Sequence, residues 1–380
     1  MKKIVHFKNQ RDSSIELLRI ISMIMILFHH FALHGDFIWN ASDLTIPHFW
    51  YNFILMGGKV GVNIFVLISG YFLISKKESL FNFKRILKFW GQVFFYSIFI
   101  YLLFCIFGKV QIDVKTLIKT LFPITFSKWW FASVYFVLYL LHPFLNKFLN
   151  ALNKRDYQYF LILILFLSSI IPTITGSNFQ GNSLTWFITL YAIGGYIKIF
   201  SLNNKFNLKH YVVLWILCSF LTYSLSVIFT FLTTKYDGFA SYITYFYNQE
   251  NILILSISIS MFMIFTKLKI KYSKYINVIG SCTFGVYLIH EHDLIRTFLW
   301  KFLFKNASYQ NSLLIIPYSI IVVIVVFLIL TFIDLIRQRF VEKPIMKLID
   351  KFYVTLLRPI KKIRNFFVKF IFGDKPKSCT

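Results

Sequence analysis

Five ionisable side chains crowd the first apolar stretch of the chain, Ile15-Glu-Leu-Leu-Arg19-Ile-Ile-Ser-Met-Ile-Met-Ile-Leu-Phe-His29-His30-Phe-Ala-Leu-His34. A charge at depth in a membrane helix costs about 2.5–3.5 kcal/mol on insertion scales, so Glu16, Arg19, His30 and His34 together need a reason. Arg19 and His30 are eleven residues apart. At about 100° per residue this is three turns with roughly 20° of drift, which puts both on one helix face. His34 lies four residues further on, and Glu16 precedes Arg19 by three, within ion-pair reach. His29 falls about 80° off this line. Arg19 and His30 are separated by about 16 Å of helical rise. They therefore serve different parts of one long ligand or act independently.

An acyl-coenzyme A fits the first case. Its phosphates would sit near basic residues at one end, and its extended arm would bring the thioester to His30. A neutral imidazole there deprotonates a sugar hydroxyl as general base, or accepts the acyl group itself. The alternative is that Arg19 snorkels to the inner headgroups while the histidines cap the outer helix end.

The elements that must position these residues follow from composition. Of 380 residues, 57% are hydrophobic, 20% aromatic and only 15% charged, which excludes a soluble globular fold. The formal net charge of +26 would suit nucleic acid if it lay on a soluble face, but the basic residues fall between apolar runs. The excess is a topology signal, with anionic lipids as its partner and no nucleic acid implied. Apolar spans are expected at 15–33, 54–74, 86–107, 129–149, 158–176, 184–200, 210–233, 251–266, 275–293 and 313–335. This is an all-α polytopic membrane bundle of about ten transmembrane helices. The spans at 184–200 and 251–266 are short enough to be tilted, kinked or re-entrant. Lys and Arg in alternate loops favour both termini in the cytoplasm, although 108–128 and 294–312 carry basic residues on the opposite side.

Cys105, Cys218, Cys282 and Cys379 are scattered, with no C-x-x-C pair and no metal-ligand spacing, and read as small apolar fillers. The basic N-terminus precedes a span that carries charges and has no small-residue cleavage site, so it reads as an uncleaved first helix. The chain divides into a membrane domain at 11–347 and a basic tail at 348–380, where Lys and Arg alternate with Phe352, Tyr353, Phe366 and Phe367 as in a helix lying on the inner leaflet. No stretch remains for a soluble catalytic domain. Any chemistry belongs to the membrane domain.

Arg19-x10-His30, preceded by Glu16, resembles the first-helix signature of the acyltransferase family 3 membrane proteins, which O-acylate bacterial surface polysaccharides. Gly61-Val-Asn-Ile-Phe-Val-Leu-Ile-Ser69-Gly70-Tyr71-Phe72 is similar to the family's Gly- and Phe-rich stretch ending in Ser-Gly. Lys84-Arg85-Ile-Leu-Lys88 is similar to its Arg-x-x-Arg motif, linked to coenzyme A, and departs from it at Lys88, which supplies a point charge without the bidentate fork. Fainter echoes run through Trp129 to Asn146, Trp186 to Tyr196, Gly285 to His290 and Phe340 to Pro344. The resemblance implies a multi-pass enzyme of the bacterial plasma membrane. It would take acetyl-CoA or another acyl-CoA from the cytoplasm and acylate a polysaccharide or lipid-linked glycan outside. It implies catalytic roles for His30, Arg19, Glu16 and Ser69, and donor contacts from Arg19, Lys84, Arg85 and Lys88.

Ser69 beside Gly70 is a nucleophile or simply permits close helix packing. His290, Glu291, His292 and Asp293 cluster at an outer helix end and with His30 and His34 could be drawn as a metal site, yet no H-E-x-x-H is present and no metal is expected. Glu342 has Arg337, Arg339 and Lys343 as candidate partners. A glycan polymerase would share the composition without needing Arg19-x10-His30, and a flippase would show inverted repeats that the chain lacks.

Overall fold

Asp12 caps the first helix, α1 (Ser13–Leu33), by accepting from the Ser14 amide, and Glu16 lies in the first turn, where the helix dipole favours an anion. Thr45 caps α2 (Ile46–Leu73), and Pro47 sits in its first turn, where a missing N–H costs nothing. In a computed structural model, which describes residues 11–76, 82–177, 182–201 and 206–352 with 363, 366 and 370, the rest is again helical and no strand occurs among the described residues.

The helices that follow are α3 (Phe83–Ile106), the short α4 (Val114–Leu121), α5 (Trp130–Ala151) and α6 (Lys154–Leu165). A π-helical turn leads from α6 into α7 (Ile171–Thr175). Then come α8 (Ser183–Ile199), α9 (Leu208–Thr233), α10 (Ile252–Lys267), α11 (Lys274–His290), α12 (Asp293–Thr297) and α13 (Ile315–Arg337). Among the described residues eight helical stretches are long and apolar enough to cross a membrane. Helices α8 and α11, at 17 residues each, fall just short and are built mostly of buried residues. The molecule is an all-α polytopic membrane bundle.

Three details differ from the sequence reading. Helix α2 begins at Ile46 rather than 54, because the buried polar residues His48 and Asn52 interrupt the apolar run without interrupting the helix. The segment 108–128 contains α4, capped by Asp113, which a hydropathy window passes over. Segment 294–312 is likewise largely helical from Asp293 to Leu303. The basic residues Lys2, Lys3 and Lys8 and most of the tail after 352 lie outside the described residues.

Helices α1 and α2 pack antiparallel at the centre, with α8, α10, α11 and α13 around them. Glycines set the closest approaches. A Cβ on Gly61 would fall 2.6 Å from the Ser22 carbonyl oxygen, and one on Gly58 would enter the His29 ring. Between α2 and α8, side chains at Gly70 and Gly194 would collide with the Tyr191 and Leu67 carbonyls, so only bare backbone fits. Two buried polar pairs cross this core: Trp186 Nε1 donates to Asn63 Oδ1 at 2.9 Å, and Tyr191 donates to Asn146 Oδ1 at 2.6 Å.

Candidate functional site

A cavity of about 610 Å³ runs along α1. One end is walled by Arg11, Arg19, Arg85 and Lys88, the other by His29, His30, His34, Lys59 and Glu291. The shared face expected for Arg19 and His30 is therefore turned to a single cavity.

At the histidine end the hydrogen bonds fix a tautomer. His290 is fully buried, and its Nδ1 lies 2.6 Å from the Val286 carbonyl oxygen, which only accepts, so Nδ1 carries the proton. In the neutral ring His290 Nε2 is then an acceptor. It faces His30 Nδ1 at 2.8 Å, so His30 Nδ1 is the donor. Glu291 Oε2 lies 3.1 Å from the same nitrogen. His30 Nε2 is left with its lone pair, in a ring that lines the cavity. The other Glu291 oxygen meets Arg296 Nη1 at 2.9 Å and His34 Nε2 at 3.4 Å.

His29 differs from its neighbour. Its Nδ1 donates to the Leu55 carbonyl at 2.7 Å and its ring fills the space left by Gly58, so although it touches the cavity it serves the α1–α2 contact. His30, His34 and Glu291 each offer a ligand atom within 4.8 Å of the others and are the described residues that could hold a metal ion.

At the basic end Glu16, 3% exposed, accepts from Arg19 and lies 3.7 Å from Arg11 Nη1. It is off the cavity wall and aims Arg19 along it. Lys88 pairs with Glu342 at 2.7 Å, and Glu342 also pairs with Arg337 at 2.9 Å, one of the partners considered for it. Arg337 Nε in turn donates to the wholly buried Asp334 at 2.7 Å. Asp334 also accepts from Tyr96 at 2.7 Å, and Gly285 leaves room for its carboxylate against α11. Lys84 is not on the cavity wall among the described residues and meets Asp350 at 2.5 Å.

Between the two ends the wall is aromatic. Phe89 stacks on Phe284 with centroids 4.9 Å apart, and Phe131 stacks on Tyr135. Ser69 Oγ donates to the Phe65 carbonyl at 2.9 Å and lies 2.9 Å from the Tyr135 hydroxyl. Among the described residues no base is hydrogen-bonded to Ser69.

Sequence reasoning grouped Glu291 with His30 and His34 only as a conceivable metal cluster, and it did not single out Lys59 as a wall residue. Lys59 carried a signal, being a charge inside an apolar helix.

The sequence pattern of a family described as an acyltransferase domain matches residues 12–332, from α1 through most of α13. No curated protein and no solved structure matches the chain.

Proposed function

The chain belongs to acyltransferase family 3, and from that premise we propose that it is an O-acetyltransferase of the bacterial plasma membrane. It takes acetyl from cytoplasmic acetyl-CoA and places it on a hydroxyl of an exported polysaccharide or lipid-linked glycan. On this reading both termini and the basic end of the cavity face the cytoplasm, where the tail from 348 rests on anionic lipids.

The observation that carries the reading is one continuous cavity with cations at one end and an oriented imidazole at the other. Arg19, Arg85 and Lys88 meet the phosphates of coenzyme A, and the aromatic middle encloses the arm. His30 Nε2 takes the proton from the acceptor hydroxyl as its oxygen attacks the thioester carbon. Glu291 stabilises the imidazolium that forms, and the departing thiolate takes the proton back. Glu16 acts through Arg19 and does not meet substrate.

The test is transfer or hydrolysis of radiolabelled acetyl-CoA by purified protein. His30→Ala and His30→Gln should each lose about 10²–10⁴-fold in rate while remaining folded, as when a general base is removed. Full activity in either variant would remove the mechanism.

A further inference from the structure

Lys59 has no role in this mechanism, yet its placement is costly. It stands fourteenth in the 28 residues of α2, a membrane-spanning helix, where a charge demands compensation. No carboxylate among the described residues comes within ion-pair distance. Its Nζ instead sits over the Trp130 ring, 5.3 Å from the centroid, with Glu250 and Glu291 as the charges whose field reaches it. Because α1 and α2 run antiparallel with Gly58 against His29 and Gly61 against Ser22, Lys59 lies at nearly the depth of His30. Both line the same cavity.

We infer that Lys59 is the oxyanion-stabilising cation of acyl transfer, an inference that rests on the acetyl-CoA reading above. When the acceptor oxygen bonds to the thioester carbon, its proton passes to His30 Nε2 and the carbonyl π pair moves onto the carbonyl oxygen. That oxygen becomes an anion in an enclosed, partly aromatic space, where a preplaced ammonium stabilises it. The pair then re-forms the carbonyl, the carbon–sulfur bond breaks, and the thiolate takes the proton from His30. The Trp130 face holds the ammonium without neutralising it, as a carboxylate partner would.

The experiment compares wild type, Lys59→Met and Lys59→Arg for acetyl-CoA hydrolysis without acceptor, glycan acetylation with acceptor, acetyl-CoA affinity and melting temperature. Lys59→Met should lose about 10²–10³-fold in kcat in both reactions, the size of effect seen when an oxyanion donor is removed, with donor affinity unchanged. Lys59→Arg, which keeps the charge, should recover part of the rate. Wild-type rates in Lys59→Met would overturn the inference. So would a defect confined to the acceptor KM with donor hydrolysis intact, which would make Lys59 an acceptor-binding residue. Loss of folding in both variants would also overturn it, by assigning the ammonium to packing. A wild type that consumes no acetyl-CoA overturns the parent reading as well, whereas an active wild type with an equally active Lys59→Met overturns this inference alone.

Discussion

Replacing Glu291 by Gln keeps shape and polarity and removes one charge. Its carboxylate lies 3.1 Å from His30 Nδ1. At an effective dielectric of about 20, a unit charge pair at that distance interacts by about 5 kcal/mol. The imidazolium exists only once the hydroxyl proton has moved, so this energy belongs to the transition state, and its loss predicts a fall of about 10³–10⁴-fold in kcat with little change in KM. The tautomer survives the substitution, since His290 Nε2 still accepts from His30 Nδ1. The loss therefore reports charge rather than a misplaced proton. The assay is acetyl transfer from labelled acetyl-CoA, with melting curves in detergent as the control. A kcat within tenfold of wild type would refute the assignment of Glu291 as counter-charge to His30.

His29→Ala should remain active, falling by less than about tenfold where loss of the base costs 10²–10⁴-fold. It should melt lower, because the bond to Leu55 and the packing at Gly58 are lost, a cost of about 1–3 kcal/mol. Equal inactivation of His29→Ala and His30→Ala would point to a shared structural role. Arg85→Ala and Lys88→Ala should each raise the KM for acetyl-CoA about tenfold or more, since a hydrogen bond to a charged group is worth about 1.5–3 kcal/mol. The wild-type KM should rise with salt and that of the double variant much less. An unchanged KM in the double variant would leave this segment only a determinant of topology.

What the sequence disclosed depended on whether a relation lay within one helix or between helices. Arg19 and His30 were legible as a pair because eleven residues fix their relative angle on any straight helix. The role of Glu16 as partner of Arg19 followed from the same periodicity. Glu291 was legible only as part of a conceivable metal cluster with His30 and His34, and Glu342 only beside its chain neighbours Arg337, Arg339 and Lys343, because the ion pairs with His30 and Lys88 form through packing. Lys59 was lost for a more instructive reason. Hydropathy placed the start of α2 eight residues late, because His48 and Asn52 are polar. Both are nonetheless buried and paired, with Asn52 Nδ2 3.2 Å from His48 Nε2 and His48 Nδ1 2.7 Å from the Asp43 carbonyl oxygen. Lys59 is sixth in a span that begins at 54 and fourteenth in the observed helix.

The Ser69-Gly70 pair shows why two readings of one motif need not compete. Consecutive residues on a helix point about 100° apart, so adjacent positions address different neighbours. Gly70 faces α8, where the Tyr191 carbonyl leaves no room for a side chain, while Ser69 faces the cavity beside Tyr135. The packing requirement is carried by the glycine and the wall position by the serine. The same logic separates His29 from His30, one turned to the bare backbone of α2 and the other to His290 and Glu291 across α11. On the proposed reading, α1 holds the donor anchor Arg19 and the base His30 at the fixed spacing of one rigid helix. The glycines of α2 let that helix lie close enough for Lys59 to stand at the depth of the base.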